Sequence, residues 1–284
     1  MPRAELTTGA SIYYEERGSG YPLLLFAPGG MDSRIDFWYQ SAFNPMEALA
    51  SDFRVIAMDQ RNAYRSYAAL KVTSWDDMVA DQLALLDHLG IQRAHVMGGC
   101  IGSSYCFRIM HDASDRISAA VCQNPIGLNG GNFDGFVGMF EQAASYATEH
   151  GMKAVIAAAQ ENDRFQQNPK AGYWAARIET DAAFRSTMAA RDPQEYARVH
   201  RDTAAAFFRK SDFVFSVARD WMRTCTTPTL ILAGHDDFHP TATAKEIAGL
   251  IPGATYIEEW GGGELQAQTI ASVRSFLLEH TPAG

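Results

Sequence analysis

Nowhere in these 284 residues do about 18 apolar side chains run together, the length a membrane-spanning helix needs, so no spanning segment is expected. Cysteine is also scarce. The four cysteines, Cys100, Cys106, Cys122 and Cys225, form neither a Cys-x-x-Cys pair nor the spacing of a disulfide framework, which argues against a zinc knuckle, a dithiol redox site or a stapled secreted scaffold. They read as free thiols. With 24 Lys and Arg against 33 Asp and Glu, a net charge of -9, the chain lacks the basic face that nucleic acid or an anionic membrane requires. A small, hydrophobic, neutral or weakly polar substrate fits better, and a homodimer stays open. The stretch from Met1 to Ser11 is polar and has no apolar h-region, so a cytoplasmic location is expected. No metal-ligand spacing or Gly-x-Gly-x-x-Gly loop occurs, so neither a metal nor an organic cofactor is expected.

Against these absences stands an apolar content of 47%, enough at this length to bury a sizeable core. Residues 23–27 are an apolar run ending at Pro28-Gly29-Gly30, which suits a strand buried on two faces, and residues 54–58 read as a second buried strand ending at Asp59. Residues 75–89 place Trp75, Met78, Val79, Leu83, Leu86 and Leu89 at helical spacing, closed by Gly90. Strands are predicted again at 95–97, 119–122, 229–233 and 255–257, and helices at 101–110, 241–250 and 265–278. This alternation predicts an α/β fold with a mostly parallel central sheet covered by helices on both faces. Ligands of such sheets bind at the carboxyl ends of the strands.

The stretch 126–227 lacks strand alternation and reads as a helical cap inserted in a core made of 1–125 and 228–284. Its Phe133, Phe136, Phe140, Trp174, Phe207, Phe208, Phe213 and Phe215 offer aromatic area for an apolar cleft, though most such rings would fill the cap's own core.

The chemistry centres on Gly98-Gly99-Cys100-Ile101-Gly102, between a predicted strand and a predicted helix. Small residues two positions either side of a nucleophile allow a strained strand-to-helix turn, because a Cβ at either site would strike the adjoining element. In this context, following the Asp59 strand, the chain resembles the α/β-hydrolase superfamily along nearly its whole length, with cysteine at the nucleophile elbow. Pro28-Gly29-Gly30-Met31 resembles that family's His-Gly oxyanion loop, and Asp59-Gln60-Arg61-Asn62 its Asp-x-Arg-Gly segment.

The resemblance implies a Cys100 nucleophile at a helix N-terminus, whose dipole favours the thiolate, and an oxyanion hole from the N–H of Ile101 with that of Gly30 or Met31. The bland alternative for Cys100 is a buried structural thiol, the reading for Cys106, Cys122 and Cys225. For the triad acid, Asp237 keeps the family spacing from Gly234 and Asp236 the spacing to Pro240; either could merely cap the following helix.

The family histidine should lie between the strand at 255–257 and the last helix, where residues 258–264 contain none. A routine Ser-His-Asp arrangement is therefore excluded. His88 and His111 fall on flanking helices, His95 at the wrong end of a strand, His280 in the tail and His150 in the cap; His200 reads as a surface residue beside Arg201 and Asp202. His235 and His239 are better placed. His239, on the acid loop, is the preferred substitute base, against the alternative of a helix-entry residue held by Pro240; Glu264, near the lost histidine's place, is the other candidate.

Three functions follow. The first is a hydrolase acting on an ester, thioester or lactone through Cys100, similar to dienelactone-type hydrolases, which use cysteine but keep the histidine. The second is a non-hydrolytic relative, a lyase, isomerase or cofactor-free enzyme, and the third a small-molecule receptor without an intact triad.

Overall fold

The computed structural model describes residues 2–128 and 131–283. Met1 of the polar N-terminal stretch, Asn129 and Gly130 of the stretch 126–227, and Gly284 lie outside the described residues. Eight strands form one sheet: β1 (Arg3–Glu5), β2 (Ser11–Arg17), β3 (Tyr21–Phe26), β4 (Phe53–Met58), β5 (Ala94–Gly99), β6 (Ile117–Gln123), β7 (Thr229–Leu232) and β8 (Thr255–Ile257). Their order is β1-β2-β4-β3-β5-β6-β7-β8. The β1–β2 and β2–β4 pairs are antiparallel and every other pair is parallel. The expected mostly parallel α/β sheet is therefore present, with an antiparallel edge of β1 and β2; the sequence predicts a strand from Ala10 through Tyr13 and Tyr14 but none at β1, which has only one buried residue, Ala4, and no visible period.

Alternation across the sheet sends side chains to two separate cores. Leu24, Phe26, Val96, Ala120 and Cys122 face one, beneath α2 (Trp75–His88), α3 (Ile101–Asp112) and α10 (Thr241–Leu250). Leu23, Leu25, Met97, Val121 and Leu230 face the other, against α1 (Pro45–Ala48) and α11 (Gln266–Glu279). At about 1.5–3 kcal/mol for each fully buried large apolar side chain, both faces must be covered, which is why the strands read as continuous apolar runs. Ser74 starts α2 through a capping box with Asp77, each side chain accepting the other's backbone N–H.

Between β6 and β7 the chain passes through α4 (Asn132–His150), α5 (Met152–Glu161), α6 (Ala175–Thr180), α7 (Ala182–Ala189), α8 (Pro193–Phe207) and α9 (Arg219–Met222). The aromatic residues of this stretch mostly pack on one another: Phe136 stacks on Phe208 at 5.4 Å between ring centroids, and Phe208 meets Phe215 edge-on at 5.2 Å. His200 corrects the surface reading made from its charged neighbours. It is fully buried, its ring 4.0 Å from Tyr196 and 4.5 Å from Tyr173, and Nδ1 lies 2.9 Å from the Tyr196 carbonyl. Helical spacing puts His200 on the face shared by Tyr196, Thr203 and Phe207, while Arg201 and Asp202 turn outward. Burial holds the His200 pKa down at about 3, so the ring is neutral. Among the described residues, no helix is long and apolar enough to cross a membrane.

Candidate active site

The carboxyl ends of β3, β5, β6 and β7 converge on a cleft of about 640 Å³. Cys100 stands at its floor, 8% exposed, where β5 turns into α3. Its backbone sits at φ 56°, ψ -125°, a conformation that costs a non-glycine residue about 1–3 kcal/mol and persists only when its surroundings enforce it. They do so through close packing. A Cβ on Gly98 would lie 2.1 Å from the Gly102 carbonyl oxygen, and one on Gly102 would lie 2.1 Å from that of Phe26, so glycine is required on both sides of the thiol. The Cys100 N–H donates to the Gln123 carbonyl at 3.0 Å, tying the turn to the end of β6.

Beside the turn runs the loop after β3. Gly29 and Gly30 have φ of 109° and 61°, and the Gly30 carbonyl accepts from the Tyr105 hydroxyl at 3.0 Å and the Ser33 N–H at 3.0 Å. Among the described residues, the Gly30 and Met31 N–H groups have no acceptor. Ile101 is the first residue of α3, so its N–H has no partner inside the helix.

The loop after β7 folds back on itself so tightly that a Cβ on Gly234 would meet the His239 Cβ and carbonyl oxygen at 2.3 Å. The Asp236 carboxylate closes this turn, accepting the Phe238 N–H at 2.9 Å and the His239 N–H at 2.8 Å. Both its oxygens lie 2.9 Å from His239 Nδ1. This leaves Nε2, which is buried and among the described residues makes no hydrogen bond of ordinary geometry, for the neighbouring Cys100. Burial works to lower the His239 pKa, but Cys100 and the Asp236 carboxylate outweigh it and raise it to about 9. Slight burial tends to raise the Asp236 pKa, and its hydrogen bonds from His239 and Phe238 hold it below the usual carboxylate range.

Cys100, His239 and Asp236 are thus brought together, whereas two other candidates are not. Both aspartates are exposed, but Asp236 borders the cleft and holds His239, whereas Asp237 does not border it. Neither aspartate caps α10, whose N-cap is Pro240 with no side-chain cap. Glu264 sits on the exposed turn Gly263–Leu265, away from the cleft lining; the glycines before it carry the chain along the surface, where the carboxylate stays solvated. His235 is exposed at the cleft margin, its Nε2 2.8 Å from the Glu258 carbonyl.

The α/β-hydrolase fold family matches residues 22–266. The chain belongs to that family. Among its relatives, a protein named as a carbamate hydrolase, RutD, of Azorhizobium caulinodans is 28% identical over 95% of this chain and 94% of its own length. An enol-lactonase from Burkholderia xenovorans superposes with a TM-score of 0.61 at 22% identity, covering 98% of this chain and all (100%) of the other. A thermophilic esterase from Thermogutta terrifontis gives 0.64 at 19% identity over 99% and 100% of the two chains. These last two likenesses concern the fold.

Two groups in this family member's cleft escaped the sequence reading. Asp32, directly after the Gly29-Gly30-Met31 loop, is 3% exposed and borders the cleft. Its position beside the loop was a usable signal. Arg164 borders the same cleft from the segment after α5, where nothing in the local pattern marks it.

Proposed function

We propose that this α/β-hydrolase family member is a hydrolase of activated carbonyl compounds, an ester, thioester or lactone, with Cys100 as nucleophile, His239 as base and acid, and Asp236 orienting His239. The observation that carries this reading is the strained Cys100 backbone beside a His239 whose Nε2 is free and whose Nδ1 is held by Asp236. The sequence-level reason to doubt hydrolysis was the empty histidine position; a base reaching the thiol from the acid loop removes that reason. The naming of a relative as a carbamate hydrolase and of structural neighbours as an enol-lactonase and an esterase supports the same class.

In this mechanism the Cys100 thiolate, paired with imidazolium, attacks the carbonyl carbon, and the π electrons move to the oxygen. The free N–H groups of Gly30 or Met31 and of Ile101 stabilise that oxyanion, at about 3–4 kcal/mol per donor. Collapse expels the leaving group, which takes the proton from His239 Nε2. His239 then removes a proton from water, the hydroxide attacks the thioester, and the acid departs as the thiol is restored. Helices between β6 and β7 act as a cap, contributing Phe136 and Met139 to an apolar wall.

The test is intact-protein mass spectrometry during turnover of a panel of nitrophenyl esters, thioesters and lactones. An acyl adduct that maps to Cys100 and disappears in Cys100→Ala is expected. Full turnover by Cys100→Ala, or no adduct and no turnover with any member, overturns the proposal.

A further inference from the structure

Asp32 is an unusual group to find beside an acyl-transfer centre. Among the described residues, its buried Oδ1 has no hydrogen-bond partner. Its nearest cation, Arg34, stays 3.8 Å away because Arg34 is engaged by Asp163 at 2.8 Å. On the same cleft, Arg164 lies with its guanidinium 5.1 Å from the Phe37 ring centre, and Nη1 donates to Gln40 at 2.7 Å. Among the described residues, no carboxylate forms an ion pair with Arg164.

We propose that the cleft contains a carboxylate subsite, in which Arg164 pairs with a carboxylate of the substrate and the Asp32 carboxyl group donates a hydrogen bond to it. The inference rests on the acyl-transfer reading and narrows it to esters or lactones whose acid carries a second, anionic carboxylate.

The surroundings of Asp32 fit that role. Burial raises its pKa to about 8, with Asp163 and Asp59 adding to the rise and Arg34 and Arg164 opposing it. The group therefore keeps its proton at neutral pH and offers a donor where an ionised aspartate would repel an anion. With that proton in place, Asp163 is taken up by Arg34 at 2.8 Å, and Arg65 is shared by Asp59 at 2.7 Å, Asp36 at 3.1 Å and Glu15 at 3.6 Å. Among the described residues these ion pairs leave Arg164 without a carboxylate of its own, and a bound carboxylate supplies one. A planar guanidinium also matches carboxylate geometry better than a neutral carbonyl. Proton retention and anion binding support each other: an anion beside Asp32 further favours its protonated form.

The experiment is calorimetric titration of the full-length protein with glutarate and with neutral glutaramide. At pH 7 glutarate should bind at least about tenfold more tightly, a preference lost in Arg164→Gln and partly restored in Arg164→Lys. Glutarate binding should weaken as pH rises through about 8, and Asp32→Asn should remove that weakening. No measurable glutarate binding, equal or tighter binding of glutaramide, or glutarate binding untouched by Arg164→Gln overturns the subsite. Acylation of Cys100 by neutral esters without a glutarate preference removes the subsite alone. A glutarate preference without any acylation removes the catalytic reading and leaves the anion site standing.

Discussion

Replacing Asp32 by Asn should flatten the pH dependence of stability. Asp32 holds its proton in the folded protein up to about pH 8, whereas in the unfolded chain it releases it near 3.8, the ordinary value of a free aspartate. Between these values the native state binds more protons than the unfolded state, so stability falls as pH rises. At about 1.4 kcal/mol per unit, the three units from pH 5 to pH 8 set a ceiling of about 4 kcal/mol on what the wild type loses through this group. Asparagine keeps the size and a donor but has no proton to lose. Urea unfolding followed by tryptophan fluorescence at pH 5, 6.5 and 8 reads the effect directly. His239 pulls in the same direction: its pKa is raised from 6.5 to about 9, so its contribution is complete below 6.5 and lost as pH rises through 9. It remains in both proteins, and the difference between wild type and Asp32→Asn therefore isolates Asp32. A gain for the variant of at least about 1 kcal/mol from pH 5 to pH 8 is expected, within the ceiling set by the shift. Parallel stability curves for the two proteins would falsify the account of Asp32 as a buried neutral acid.

Other consequences are open to measurement. His239→Ala should slow iodoacetamide alkylation of Cys100 at pH 7 by about tenfold, since the imidazolium beside the thiolate is gone; an unchanged rate places the two groups out of contact. Asp236→Asn should lower kcat for ester turnover by about 100-fold or more while KM moves little, because His239 loses its orienting carboxylate; an equal change from Asp237→Asn contradicts the assignment. Gly98→Ala forces a Cβ to within 2.1 Å of the Gly102 carbonyl oxygen, and should cost about 3 kcal/mol or more in urea unfolding. Ser74→Ala removes one half of the capping box of α2 and should cost about 1 kcal/mol, with activity retained.

What could be read in the chain follows from how local each cause is. The runs at 23–27 and 54–58 record the burial of most residues of β3 and β4, and the spacing in 75–89 the burial of one face of α2, so these elements were visible. Cys100 was visible because its glycines are demanded by backbone contacts within a few positions and with β3. The burial of His200 was not, because it depends on α4 and the segment around Tyr173 coming to rest on α8, and the flanking Arg201 and Asp202 suggested solvent. Arg164 is of the same kind. Its place in the cleft comes from the path of the chain after α5, and its partners Phe37 and Gln40 lie more than a hundred positions away in sequence.

The position of the histidine changes how the site is assembled. When acid and base sit on separate loops, two strand ends must be held in register for the pair to form. Here Asp236 and His239 are three residues apart, and one carboxylate both closes the turn through the Phe238 and His239 N–H groups and holds the His239 ring. Orientation of the imidazole is therefore settled within a single turn, which Gly234 permits by letting the turn fold onto the end of β7. The loop after β8 is relieved of that task. It is free to carry glycines and an exposed Glu264, while Trp260 lines the cleft and anchors the loop by donating to the Ala233 carbonyl. In the proposed mechanism, the compact His239–Asp236 turn makes a histidine in the loop after β8 unnecessary.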